Sequence, residues 1–484
     1  MKEITARALD TARVRGAHYA DVRVVGTRQQ FVEVKNGRVS GLADVNTYGL
    51  GVRVLVDGAW GFAGSAEVST AEAERSAAAA VAIARASGRV KERDVVLAPV
   101  KPEIARYETP HRLDPFTVSL SEKVDLLLEA DAAMRAGGDA RLKVATGTMQ
   151  FWEDRKTFAS SEGAFLEQRI VHSGGGIVAT AVGDDDVQVR SYPASHGGQC
   201  EANGYELFAR LDLVGHAGRT ADEAVALLTA RPCPPGRATI LLEGSQVSLQ
   251  IHESCGHPSE LDRVLGSEAN YAGTSFLTPE KRGQLRYGSR AVHIVADATC
   301  PQGLGTFGYD DEGVPASRTD LVRDGLFVGY LMSRETAPLV GAVSNGTMRA
   351  DSWARIPLIR MTNINLLPGA WTLEGLIADT DDGILMATNR SWSIDDKRFN
   401  FQFGTEIGWE IKKGKRGAIL KNCTYTGITP RFWNSCDAVC NQDEWLIWGT
   451  PNCGKGQPSQ VMRTAQGAAP ARFRDVQVGV GLSQ

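Results

Sequence analysis

The sequence predicts an α+β chain, with a helix-covered antiparallel sheet domain at the N-terminus and a β-rich, barrel- or sandwich-like domain after it. Three observations carry this expectation. Asn36-Gly37 and Asp57-Gly58 each lie between alternating β-type runs, the pattern of a two-residue hairpin. Capped helical segments recur through the first half of the chain. Beyond the cluster Arg231-Pro-Cys-Pro-Pro-Gly236 the pattern turns almost wholly to short β-type runs punctuated by glycine. The domains are accordingly placed at 1–230 and 231–484.

In chain order, residues 5–15 predict an amphipathic helix stopped at Gly16, and 21–25 a strand. Residues 31–35 and 51–56 open the two hairpins. Residues 70–87 are alanine-rich, with Glu72 and Glu74 in the first turn, where carboxylates suit the positive end of a helix dipole. Ser119 with Glu122 forms a capping-box start for a helix that runs to Gly137-Gly138, and Thr220 with Glu223 repeats the signal. Between these two helices, 143–191 alternates like a meander of strands. Past the proline cluster, 238–243 reads as a strand and Gly244-Ser245 as a break, followed by a helical stretch from Gln246; further strands are expected near 404–411 and 417–420.

A chain of 484 residues, 43% hydrophobic and 23% charged, is long enough to bury two cores. With 53 basic against 57 acidic side chains the formal net charge is -4, so no excess positive charge holds a nucleic-acid backbone. The first residues carry acids and no apolar run of signal-peptide length, and no uncharged apolar run reaches the roughly 20 residues that cross a bilayer. A soluble, cytoplasmic protein is expected. In that compartment its 8 cysteines are thiols, core residues or metal ligands rather than a disulfide framework.

The helical stretch ends in His252-Glu253-Ser-Cys-Gly-His257, then Pro258. It is close to H-E-x-x-H, in which both imidazoles bind zinc and the glutamate acts on water at the metal, but one residue longer. A five-residue step lands about 140° round a regular helix, so the helix must be distorted. Either a π-bulge brings His257 under His252, or the last turn unwinds at Gly256 and is closed off by Pro258; the glycine and proline favour unwinding. A catalytic zinc needs a third protein ligand and an open position. Downstream cysteines and acids are candidates, among them Cys453 in the loop-forming stretch from Thr450 to Pro458.

Four motifs in order now resemble a known family: His252-Glu-Ser-Cys-Gly-His257, Phe307-Gly-Tyr-Asp-Asp-Glu-Gly-Val-Pro315, Arg355-Ile-Pro-Leu-Ile-Arg-Met-Thr-Asn363 and Asn452-Cys-Gly-Lys-Gly456. The chain resembles the TldD/PmbA family of zinc metallopeptidases, and within it the TldD branch. The motifs span most of the C-terminal half, whereas the N-terminal half matches only in its general plan. The resemblance implies a Zn2+ held by His252, His257 and Cys453, with Glu253 as the catalytic carboxylate. It also implies unfolded or short peptides as substrates, an enclosed cavity, and a dimer, either of identical chains or with a PmbA/TldE-like paralogue. The PmbA branch lacks the metal motif, so the present chain resembles the catalytic partner.

Other residues hold open readings. Arg355, Arg360 or Asn363 could donate to a tetrahedral oxyanion, though arginines on a strand are commonly just solvated. Asp310, Asp311 and Glu312 are either a solvated turn, a support for a ligand histidine, or a trap for a peptide's positive N-terminus. Cys423, Cys436 and Cys440 could form a second metal site, with Cys436 and Cys440 four apart on one helix face, but packed thiols account for them better, as they do for Cys255. Two rival functions stand beside the peptidase. One is a non-catalytic interaction protein of the kind the family's association with DNA gyrase implies; the other is a zinc hydrolase of a non-peptide amide.

Overall fold

The computed structural model describes residues 1–479. Its first sheet runs in the order Ala59–Ser65, Arg38–Val56, Tyr19–Lys35, Leu142–Ser160, Phe165–Val182, Ile104–Glu108. All neighbours on this path are antiparallel except the last pair. Both expected hairpins form. Asn36, Gly37, Asp57 and Gly58 all have left-handed φ values of 48°, 76°, 47° and 71°, the pair of left-handed residues that a type I′ turn demands. The first strand extends far past the expected 21–25, to Tyr19–Lys35, because its polar middle is hydrogen-bonded into ladders on both sides.

Helices cover one face of this sheet. Thr70–Ser87 is capped by Ser69, whose hydroxyl accepts the Glu72 N–H, and it turns Ala73, Ala77, Ala80 and Ala84 inward. Small residues are needed there, since a Cβ on Gly61 of the sheet would stand 2.0 Å from the Ala80 carbonyl oxygen. Leu120–Arg135 starts at Ser119 in the same way, as expected. The Thr220 start is corrected: the helix spans Leu213–Thr229 and is capped by Asp212, whose side chain accepts the Gly215 N–H. Thr220 lies mid-helix with its hydroxyl donating to the His216 carbonyl, and Glu223 pairs with Arg190 instead of closing a cap. Ser/Thr back-bonding of this kind satisfies the side chain inside a helix, so the spacing alone did not mark a start.

The second sheet runs Asp382–Ile394, Gly236–Leu242, Ala471–Val478, Cys423–Ile428, Asn400–Lys412, Lys415–Lys421, Arg231–Pro232. Asp382–Ile394 also pairs with Asn400–Lys412, so five strands close into a barrel. The mixed α+β class and the barrel in the C-terminal half are therefore as the sequence predicts. Phe403, Tyr425, Trp433 and Phe473 belong to its buried aromatic core. No helix among the described residues is long and apolar enough to cross a membrane.

Ionic contacts tie the barrel half to the first sheet, and the acidic triplet makes them. Glu312 accepts from Arg53 at 3.3 Å and from the Arg334 backbone N–H, while Arg53 also holds Asp21 at 2.7 Å. Asp311 faces Arg23 and Lys156, and Asp310 accepts the backbone N–H groups of Glu312, Val314 and Met348. Burial and the neighbouring Glu312 charge push Asp310 up to about 8. The triplet is thus a buried clasp, not a solvated turn. Arg53→Met would leave Asp21 and Glu312 buried without their shared cation, so it is expected to destabilise the chain by about 3–5 kcal/mol. Urea unfolding followed by tryptophan fluorescence checks this, and an unchanged midpoint would refute the clasp.

Candidate metal centre

The strand Gly236–Leu242 feeds directly into the helix Gly244–Ile251, whose first turn is capped by the Glu243 side chain on Ser245 N–H. Gly244-Ser245 is therefore the helix start and not a break. The next turn, His252–Gly256, is a π-turn: the His257 N–H donates to the His252 carbonyl five residues back. The unwinding favoured by the glycine and proline is corrected in favour of the bulge. Gly256 keeps helical φ and ψ, and its missing side chain has another use, because a Cβ there would lie 2.0 Å from Met361 Sδ. The wide turn brings the two imidazoles together at 5.0 Å between ring centroids, nearly perpendicular.

Cys453 joins them from the hairpin of Leu446–Lys455 and Gln460–Ala468. It is on a strand rather than in the expected loop; Pro451 and Asn452 fall where the register shifts between Thr450 and Cys453. Arg360 donates to the carbonyls of Cys453 and Gln460, bracing both strands of this hairpin. One ligand atom from each of His252, His257 and Cys453 lies within 4.8 Å of the others, and all three residues are buried. Among the described residues this is the only such group of His, Cys, Asp or Glu.

The donor set fits a metal. His257 Nε2 is 3.7 Å from Cys453 Sγ, close to the roughly 3.5 Å that a tetrahedral zinc imposes between nitrogen and sulfur ligands. His257 Nδ1 is held by the Glu260 carboxylate at 3.0 Å, which orients the ring and leaves Nε2 toward the cluster. His252 Nδ1 is engaged by the Gln466 side-chain amide at 3.0 Å. Burial would raise the Cys453 thiol, but His257, His252 and Arg360 hold it well below its ordinary range. Burial would lower His257, but the Cys453 and Glu260 charges push it up to about 9.

A cavity of ≈ 270 Å³ opens onto this cluster, and Glu253 lies on its wall with Leu249, His196, Trp392, Trp448 and Arg398. Arg398 donates to the Glu253 carboxylate. Burial would raise that carboxyl, yet Arg398 and the two histidines keep it below its usual value, so it is ionised at neutral pH.

The other sequence candidates lie elsewhere. Asp310, Asp311, Glu312, Arg355, Arg360 and Asn363 are all absent from the cavity wall. Arg355 is exposed, and its carbonyl accepts from Arg23. Asn363 spends its amide on Gly305, Asp297 and Thr306. The second cysteine cluster does not form: Cys436 is on the strand Cys436–Val439, not a helix, and Cys423 neighbours Cys233. All of these thiols are buried, and Cys255 is in the core. Sequence reading missed Arg398, Gln466 and Glu260. Only Glu260, three residues after His257, was near enough to the motif to be read.

Comparisons with known proteins identify the family and the fold. Sequence models of PmbA/TldA metallopeptidases match domain 1 at residues 20–84, the central domain at 113–230 and the C-terminal domain at 235–480. A metalloprotease of Methanocaldococcus jannaschii is 29% identical over 90% of this chain and 92% of its own length. A metalloprotease TldD homolog of Haemophilus influenzae is 26% identical over 89% of this chain and 86% of its own. A zinc metalloprotease TldD homolog of Saccharolobus solfataricus is 24% identical over 50% of this chain and 52% of its own. Two solved structures share the fold. A proposed modulator of a DNA gyrase from Thermotoga maritima has TM-score 0.78 at 19% identity, covering 99% of this chain and 100% of that one. TldE from Thermococcus kodakarensis has TM-score 0.75 at 15% identity, covering 98% and 99%.

Proposed function

The chain belongs to the PmbA/TldA metallopeptidase family, and from that premise we propose that it is a zinc-dependent peptidase acting on unfolded or short peptides. The observation that carries the reading is the convergence of His252, His257 and Cys453 with an ionised Glu253 on one cavity wall. Zinc, held by those three side chains, supplies Lewis-acid polarisation of a carbonyl and acidification of water. Glu253 takes the proton from the attacking water and returns it to the leaving amine. Glu260 and Gln466 orient the two imidazoles. Arg398, the one guanidinium on the cavity wall among the described residues, is the oxyanion donor in this reading, in place of Arg355, Arg360 and Asn363. Trp392, Trp448 and Leu249 offer apolar surface to a peptide side chain.

The test is metal analysis and peptide cleavage on one preparation. About one zinc per chain and turnover of an unfolded peptide, lost with chelator and restored by zinc, are expected. Stoichiometric zinc with turnover of a non-peptide amide only would favour the rival hydrolase; absence of zinc and of turnover would favour a non-catalytic role.

The reading keeps a cytoplasmic location and the division of the chain near residue 230. It also includes a dimer, with a second copy or a paralogue. Light scattering at micromolar concentration is expected to give twice the 52.0 kDa chain mass, and a monomer that binds no paralogue would sink the assembly.

A further inference from the structure

A second, small cavity of ≈ 20 Å³ lies between the two halves of the chain, away from the zinc pocket. The strands Leu142–Ser160 and Phe165–Val182 supply Asp154, Lys156 and His172; the barrel half supplies Asp311, Arg349 and Arg463. Its volume admits one water-sized occupant, for which about 10–15 Å³ suffices.

Three cations face two carboxylates. Lys156 lies 3.4 Å from Asp311, and Arg463 pairs with Asp154. Arg349 has no carboxylate within ion-pair distance among the described residues. Its terminal nitrogens donate only to the carbonyls of Arg463 and Met361, although the residue is 7% exposed. A guanidinium buried without an ion-pair partner is costly even over the Phe307 ring, 5.4 Å from its centre, and its site favours an anion.

The unused hydrogen-bonding groups point the same way. His172 is 3% exposed and neither ring nitrogen has a partner among the described residues. Burial, then the charges of Arg463, Arg349 and Lys156, keep it well below its usual range, so it is neutral and carries one N–H. Arg349 Nε and Arg463 Nε also lack acceptors among the described residues. The residues on this wall thus carry three N–H donors without acceptors among the described residues, and one surplus positive charge. A water would accept from at most two of them and leave the charge uncompensated. A site for one water-sized occupant favours a monatomic anion over a tetrahedral one such as sulfate.

We propose that this cavity binds one monovalent halide, chloride in ordinary salt, held by Arg349, His172 and Arg463. The site stands independently of the peptidase reading. Because Arg349 also holds the carbonyl of Met361, which packs on Gly256 of the π-turn, the bound ion fastens the joint between the halves close behind the metal helix.

The test uses the full chain. Thermal unfolding is compared in sodium chloride, sodium bromide and sodium gluconate at equal ionic strength, and crystals are soaked in bromide. Halide is expected to raise the midpoint saturably by about 2–4 °C over gluconate, as a ligand of the native state does. One bromide anomalous peak is expected in the cavity. In Arg349→Met the halide-specific rise is expected to vanish. Equal midpoints in chloride and gluconate, or a soaked crystal without a bromide peak there, would overturn the proposal, as would a rise that persists in Arg349→Met. Should that variant not fold, the bromide peak of the unaltered chain decides.

Discussion

Glu253→Gln is expected to retain its zinc and lose peptide cleavage by about a hundredfold to ten-thousandfold, the range that general acid–base catalysis supplies. The substitution is nearly isosteric, and its amide oxygen can still accept from Arg398, so the wall of the cavity keeps its shape. What disappears is a carboxylate held ionised by Arg398 and the histidines despite its burial. Glu253 is separate from the three-residue donor cluster, which is why metal content should survive. Zinc and turnover measured on the same preparation separate the outcomes. Loss of both would make Glu253 a ligand or its support; survival of both would overturn the proposed mechanism.

Cys453→Ala is expected to purify with far less than one zinc per chain and to be inactive. Two imidazoles alone make a poor site, and the thiolate is the anionic member of the set. The loss has a second cause. Cys453, with Glu260, raises His257 against its burial; without the thiolate, the ring gives up its proton at lower pH, and the variant should bind zinc with a weaker pH dependence than the unaltered chain. In the unaltered chain a metal must displace the His257 proton, so affinity should climb with pH up to about 9. Metal titration at several pH values reads both effects. Full zinc occupancy in Cys453→Ala would remove that residue from the site.

The elements that sequence described well are those whose determinants are local. Asn36-Gly37 and Asp57-Gly58 are legible because a two-residue hairpin needs left-handed backbone at both positions, which these residues tolerate best. Ser119 is legible because a cap acts on an N–H three residues on. Thr220 failed because the same hydroxyl can bond backwards within a helix, and a cap at Asp212 had already begun this one. Closure of the barrel was readable only as a tendency, since it rests on pairing Gly236–Leu242 with Asp382–Ile394 and Ala471–Val478, far apart in the chain.

For the site, sequence by itself determined the chemistry on offer: two imidazoles, a carboxylate beside the first, and a glycine at the distortion. Side-chain type and short spacing are sequence properties, and the chemistry follows from them. Tertiary structure alone decided which distortion occurs, because the space for Gly256 is set by Met361, more than a hundred residues on. It likewise brought Cys453 to His257 across 196 positions and Arg398 to Glu253 across 145. It also turned Asp310, Asp311 and Glu312 from an apparent surface turn into a buried clasp, since Arg23, Arg53 and Lys156 meet them from the other half of the chain. A charged residue's neighbours set its protonation and its role, and those neighbours are chosen by packing between distant segments, which no local pattern encodes.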